Sequence, residues 1–234
     1  MPTKVLDRVK LLPLIVRRYC RVFEPAHGDV LQPNPYATGR LTLKAHCPAG
    51  STAAASWYIA ETARSAFWES VLRDVEPDDD GGVFLDRRVL AKYAFQEVEL
   101  LEEGQVLRQE PAARRHVVLL GNAPLNTKWD HELSTAIYET THTMAGLAQL
   151  QCLAHDPPIA LPGFSWRSRQ ADADLAYVLY DPPRKRAAWR AHGDPVSLDS
   201  PAGHLLLRTV LEQDQMVWLN DPARSGGTPP VGAI

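Results

Sequence analysis

Residues 56–70, SWYIAETARSAFWES, decide how this chain is read. The stretch opens with Trp57, Tyr58 and Ile59, aromatic and β-branched side chains that favour strands. It therefore reads as the end of a buried strand over AAASWYIA. Thr62 then stands where a helix N-cap belongs, and the pattern that follows predicts a helix from Ala63 to about Arg73. At about 100° per residue, Ala63, Ala66, Phe67 and Val71 form the apolar face. Glu69 falls at the margin of that face, beside Ala66. At that position it is either a solvated helix carboxylate or a group turned into a cleft, and the helical wheel allows both.

The same reading extends outward in both directions. LIVRRYCRVFEP is a strand ended by Pro25, residues 27–39 are loop, and RLTLKA alternates like a short strand. CPAGST is a turn and EPDDDGG an acidic loop. AKYAFQEVELLEEGQVLRQ reads as extended segments, and HVVLLG as a buried strand. STAIYETTHTMAGLAQLQCLA reads as a helix approached through HELS and running to about Leu153. PIALPGFSWRSR is a turn and a short strand, LAYVLYDP a further strand, RKRAAWR a basic run after Pro182, and HLLLRTVLEQD a helix or strand. Many short strands with two or three helices, and no regular β-α alternation, give an α+β fold. With no repeat and no obvious linker, the expected organisation is a flank over 1–16, one domain over 17–220 and a flexible tail over 221–234.

The composition fits a soluble globular domain: 45% of the 234 residues are apolar and 23% charged. A net charge of −3 offers no electrostatic basis for direct nucleic-acid contact. Three widely spaced cysteines, Cys20, Cys47 and Cys152, argue against a disulfide framework and for a reduced, cytoplasmic setting. The short N-terminal run LLPLIV contains Pro13 and is followed by Arg17 and Arg18. It is too short for a secretory signal or a membrane span, so no membrane association is expected.

The common catalytic signatures are missing. The chain has no G-x-G-x-x-G, no G-x-x-x-x-G-K-[ST], no H-E-x-x-H and no G-x-S-x-G. His46-Cys47 and Cys152-x-x-His155 are two scattered pairs and do not define a tetrahedral site, so no metal is expected.

One ordered set remains: Arg21-Val22 in the first strand, Gly39-Arg40 at a loop end, Tyr58 with Ala60, Ala66 with Glu69, and then Gly163, Trp166 and Ser168. Glu69 lies eleven residues after Tyr58. In this order and spacing the chain resembles the RES domain, the toxin of bacterial RES–Xre toxin–antitoxin pairs, over roughly residues 17–181. It departs from that family at two points. Leu41 and Thr42 stand where an aromatic residue and Asn usually follow the Gly-Arg. The interval from Arg40 to Tyr58 is also longer than usual, which implies either an enlarged hairpin or an arginine other than Arg40 in that role.

The resemblance implies an ADP-ribosyltransferase-like fold and cleavage of the nicotinamide–ribose bond of NAD⁺, the substrate, with water or phosphate as acceptor. It also implies an Xre-type antitoxin as partner. The residue types suit that chemistry. Arg40, and Arg21 as a second cation, match diphosphate oxygens, which an arginine grips with two parallel donors. Tyr58 offers a ring face to the cationic nicotinamide. Glu69 would stabilise an oxocarbenium-like ribose. Ser168 would orient a phosphate or a ribose hydroxyl, with Ser165 competing for that role. Each also has an ordinary reading: a surface arginine, a core tyrosine, a solvated glutamate, a turn serine. His142, in the predicted helix, reads as a surface residue. Two further readings stay open, a protein ADP-ribosyltransferase and an inactive binding domain of the same fold.

Overall fold

Side-chain alternation builds a two-sided sheet. In the computed structural model, which describes residues 11–109, 131, 138–168, 171 and 174–223, the strands are β1 (Leu12–Leu14), β2 (Arg18–Phe23), β3 (Ala55–Ala60), β4 (Gly82–Val83), β5 (Ala94–Leu100), β6 (Gly104–Arg108), β7 (Gly163–Arg167), β8 (Leu175–Asp181), β9 (Trp189–Ser197) and β10 (Val217–Trp218). The α-helices are α1 (Ala63–Trp68), α2 (Arg87–Leu90), α3 (Glu139–Leu153) and α4 (Pro201–Gln213). Eight strands form one sheet in the order β1-β6-β7-β8-β3-β2-β5-β9, antiparallel except for β6 beside β7. β4 and β10 make a small parallel pair. The fold is α+β.

One sheet face buries Tyr19, Phe23, Trp57, Ile59, Tyr177 and Leu179 with Trp189. The other face divides into two clusters. In the first, Met144, Ala145, Ala148 and Cys152 of α3 pack on Phe164, Trp166, Val178 and Tyr180. In the second, α1 and α4 pack through Phe67, Trp68, Leu207 and Leu211 on Cys20, Ala60 and Phe95. The α1–α4 contact also carries charge: Asp214 Oδ2 accepts from Trp68 Nε1 at 2.6 Å, and its Oδ1 accepts from Arg64 Nε at 2.8 Å.

The sheet parts in its middle. β3 pairs with β8 over six residues, Ala55↔Asp181 to Ala60↔Ala176, and β2 pairs with β5 over six, Arg18↔Glu99 to Phe23↔Ala94. Between β2 and β3 the register holds a single pair, Cys20↔Ala60. Beyond it the two strands diverge, and their backbone groups turn to the loop over residues 28–42. Asn34 and Ser56 exchange N–H···O bonds of 2.8 and 3.1 Å. Arg21 and the Trp57 indole both donate to the Val30 carbonyl, the indole at 2.9 Å.

Three readings are corrected here. RLTLKA is no strand. Leu41 sits at φ +59° and is fully buried, and the loop is held from the core side, with Tyr180 Oη donating to the Leu41 carbonyl and Leu41 N donating to Thr141 Oγ1 at 3.2 Å. The alternation of Leu41 and Leu43 reflects two residues that both point inward from a coil. The enlarged hairpin is instead a loop laid along α3, where Thr52 N donates to Gln149 Oε1 at 2.8 Å. The helix capped by Thr62, whose Oγ1 accepts from Ser65 N at 3.1 Å, ends at Trp68 rather than Arg73. The chain unwinds there as Ser70 Oγ bonds back to the Ala66 carbonyl at 2.5 Å and Leu72 N takes the Phe67 carbonyl at 2.9 Å. One element was not anticipated: the basic run after Pro182 leads into β9, a polar edge strand with Gly193 and Pro195, which has no apolar periodicity to reveal it. Within the segment read as a flank, Leu12–Leu14 pair with β6. HVVLLG, the approach to α3 over 132–137 and the tail over 224–234 lie outside the described residues.

Gly163 opens β7 at φ +148°, and a Cβ there would stand 2.1 Å from the Val178 carbonyl oxygen across the ladder. Gly163→Ala is expected to cost roughly 3 kcal/mol, since neither backbone has room to yield. The urea midpoint should fall with little change in slope.

Candidate active site

The divergence of β2 and β3 opens a cavity of about 260 Å³. Arg21, Arg40, Tyr58 and Glu69 all line it, together with Arg73, Tyr138 and Trp166. Four residues separated by up to 48 positions thus converge on one space. A smaller recess at the apex of the split, next to Cys20 and Ala60, shares Arg21, Tyr58, Glu69 and Trp166 with it.

Tyr58 projects from β3 against the loop. Its Oη donates to the Arg40 carbonyl at 2.9 Å and lies 2.8 Å from Thr42 Oγ1. Gly39 makes the approach possible, for a Cβ there would lie 3.1 Å from the same Oη. Burial pushes the Tyr58 phenol up to about 12, outweighing the Thr42 hydrogen bond that lowers it. Tyr58 is therefore a neutral donor and an aromatic wall, and no general base. Its ring meets Trp166 edge-on at 6.4 Å.

Glu69 occupies the C-cap of α1, and this placement answers the ambiguity of the helical wheel: the carboxylate lies at the cavity wall. Trp166 Nε1 donates to its Oε2 at 3.3 Å. Because the helix ends one residue earlier, Arg73 follows not on a further helical turn but through a turn of coil. There its guanidinium lies 5.5 Å from the Tyr138 ring centroid. Arg40 lies 5.6 Å from the same ring. Two guanidiniums thus share one aromatic ring at the cavity wall, each gaining from its π-face.

Arg21 is 7% exposed, and burial lowers it to about 9, with the like charge of Arg184 adding to the effect. It remains a cation at neutral pH. The loop that carries Arg40 is held by three further bonds. His142, which the helical pattern places at the surface, is buried, and its Nε2 lies 3.0 Å from the Gly39 carbonyl. Burial lowers its pKa, so the ring is neutral and Nε2 carries the proton it donates. Thr42 Oγ1 donates to Gly39 O at 2.9 Å, and Tyr180 holds Leu41.

Ser168 does not line the cavity. It lies past the end of β7, 2% exposed, where its Oγ accepts from Ala171 N at 3.3 Å and its N–H donates to Asp174 O at 3.0 Å. It closes the β7–β8 turn. Ser165 is fully buried within β7, opposite Tyr177 of β8. Arg73, Tyr138 and Thr42 escape sequence reasoning. The only trace of Arg73 is its spacing of four from Glu69, and the helix end breaks the geometry on which that spacing depends.

No family model matches this chain, and no curated protein matches it. Among solved structures, a chain of the Mycobacterium tuberculosis MbcT–MbcA toxin–antitoxin complex shares the fold. The TM-score is 0.52 at 15% identity, over 83% of this chain and 90% of that one. Among the described residues no helix is long and apolar enough to cross a membrane.

Tyr58 and Tyr180 are both pushed above the ordinary value of about 10, by burial first, so the native state keeps protons that the unfolded chain releases. Stability is expected to be level up to about pH 10 and to fall as pH rises toward 12. Urea unfolding at pH 8, 9.5 and 11 checks this, with a shallower fall for the Tyr58→Phe, Tyr180→Phe variant. That variant should itself be less stable by about 2 kcal/mol, having left two buried carbonyls short of a donor.

Proposed function

We propose that this chain cleaves the nicotinamide–ribose bond of NAD⁺, with water or inorganic phosphate as acceptor, and acts as the toxin of a toxin–antitoxin pair. The observation that carries the reading is the convergence of Arg21, Arg40, Tyr58 and Glu69 on one cavity at a split in the sheet. The fold shared with a chain of a toxin–antitoxin complex supports it. So does the ordered resemblance to RES domains.

The chemistry follows from the side chains present. Arg40 and Arg73, set around Tyr138, supply two cations for the diphosphate, and Arg21 adds a third from the opposite strand. Tyr58 and Trp166 meet edge to face at an interplanar angle of 75° and form a corner for a flat ring. As the glycosidic bond breaks, positive charge develops on the ribose, and the Glu69 carboxylate offsets it. Its bond from Trp166 fixes one oxygen, and the other is left to face the sugar. Neutral Tyr58 takes no proton in this scheme. The acceptor then adds to the ribose carbon, giving ADP-ribose or its 1-phosphate. Ser168 has no direct part, because its hydroxyl is committed to the turn. An Xre-type antitoxin is the expected partner, which would restrain the enzyme by occluding this cavity.

Purified protein incubated with labelled NAD⁺ is expected to release nicotinamide, and omission of phosphate identifies the acceptor. Glu69→Gln should slow release by a factor on the order of 10² to 10³. Arg73→Gln should raise KM more than it lowers kcat. A Glu69→Gln protein as fast as the parent would overturn the assignment, and label retained on protein would indicate ADP-ribosyl transfer instead.

A further inference from the structure

The small ribbon of β4 and β10 has one buried face and one bare face. In its parallel register Trp218 lies beside Val83, and both are buried. The alternate residues point the other way. Val217 lies beside Gly82, and Leu219, whose N–H continues the ladder to the Val83 carbonyl, lies beside Phe84. Phe84 is 71% exposed, Leu219 44% and Val217 37%. Apolar residues scattered singly over a surface are ordinary, whereas large ones that adjoin mark a contact site.

Gly82 joins this patch to charge. A Cβ there would stand 2.7 Å from Leu219 Cδ1 and 2.6 Å from Asp78 Oδ2, so the leucine and the carboxylate meet over the glycine. Glu76, Asp79 and Asp80 flank Asp78, and all four are exposed. On the other side of Phe84, Arg87 is committed to Asp199 at 2.9 Å. Over residues 76–88 five carboxylates stand against Arg87 and Arg88, so the rim of the patch is acidic.

These features select the occupant. The outer edge of β4 is closed at Gly82, whose N–H donates to Asp78 Oδ1 at 2.5 Å and whose carbonyl accepts from Asp78 N at 2.8 Å. A partner therefore covers the face with side chains and does not add a strand. A second copy on a twofold axis would bring two acidic loops to one small contact, which disfavours it. Side chains one helical turn apart stand about 5–6 Å apart at Cβ. That matches the step of about 4.8 Å between strands, which separates Phe84 from Leu219. We infer that this face docks a basic amphipathic helix of a protein partner, its apolar side chains on Phe84 and Leu219 and its Lys or Arg toward Asp78, Asp79 and Asp80. None of Phe84, Val217 and Leu219 lines the cavity of the candidate active site, so a partner docked here leaves that cavity open.

The full chain labelled with ¹⁵N is titrated with a capped helical peptide that carries leucine at positions three and four apart and lysine elsewhere. A twin with glutamate for each lysine is the control. The lysine peptide is expected to shift the Phe84, Val217 and Leu219 amides saturably, more weakly as salt is raised, and the glutamate twin to leave them in place. Phe84→Ser, a change at an exposed side chain that leaves folding intact, should weaken binding about tenfold. Asp79→Lys with Asp80→Lys should weaken it about threefold. No saturable shift, or equal affinity in Phe84→Ser, overturns the docking face. Equal binding of the glutamate twin overturns the basic partner. Sedimentation in which the chain alone gains mass with concentration, and loses that gain in Phe84→Ser, would make the face a contact between copies and overturn the foreign helix. None of these readouts depends on NAD⁺ turnover.

Discussion

Everything in this molecule depends on β2 and β3 meeting at Cys20 and Ala60 and nowhere else. Two adjacent strands that part after one pair expose backbone groups to a low-dielectric interior, where each needs a partner. The chain supplies the partner with its own loop. Asn34 pairs with Ser56 as a one-residue strand, and Val30 offers its carbonyl to Arg21 and Trp57. Farther along, the carbonyls of Gly39, Arg40 and Leu41 are taken by His142, Tyr58 and Tyr180. At about 1 kcal/mol each, such bonds are modest singly. Together they hold a long irregular loop against a sheet that would otherwise have closed. The gap they maintain is the cavity.

The second constraint is charge. Arg21, Arg40 and Arg73 line the split, and the Arg184 guanidinium is buried behind it on Trp57, an arrangement that works against folding unless the cations are offset. Aromatic rings offset part of that cost through their electron-rich faces. Trp57 has Arg21 at 5.3 Å and Arg184 at 4.5 Å, and Tyr138 has Arg40 at 5.6 Å and Arg73 at 5.5 Å. Glu69 is one carboxylate that balances them at the cavity wall, at the end of a short helix whose C-terminal dipole disfavours it. Glu24 and Asp29 also line the cavity but are engaged by His27 and Arg186, and this concentration of cations is a poor way to stabilise a fold and a good way to hold an anionic substrate.

Strands rich in apolar and aromatic residues were legible in the sequence. β2, β3, β5 and β8 lie within the segments read as extended, because each buries Trp, Tyr, Val or Leu side chains. The Thr62 cap was legible for the same local reason. β9 was not, since an edge strand beside solvent needs no apolar face. Leu41 and Leu43 imitated a strand because tertiary bonds from Tyr180 and Thr141, a hundred or more residues away, hold a positive φ that no local pattern encodes. Within the site, the spacing of Tyr58 and Glu69 pointed to a common space, whereas the part of Arg73 and Tyr138 depends on where α1 unwinds. Ser168 matched by its place in the order, yet its hydroxyl belongs to a turn.

The most direct measurement is a crystal structure of the Glu69→Gln protein grown with NAD⁺, in which slowed chemistry preserves the substrate. The account predicts nicotinamide in the corner between Tyr58 and Trp166, the diphosphate against Arg40 and Arg73, and the anomeric carbon about 3–3.5 Å from the residue 69 side chain. Density for NAD⁺ elsewhere, or a cavity that stays empty under saturating NAD⁺ in a protein that still folds, would contradict it.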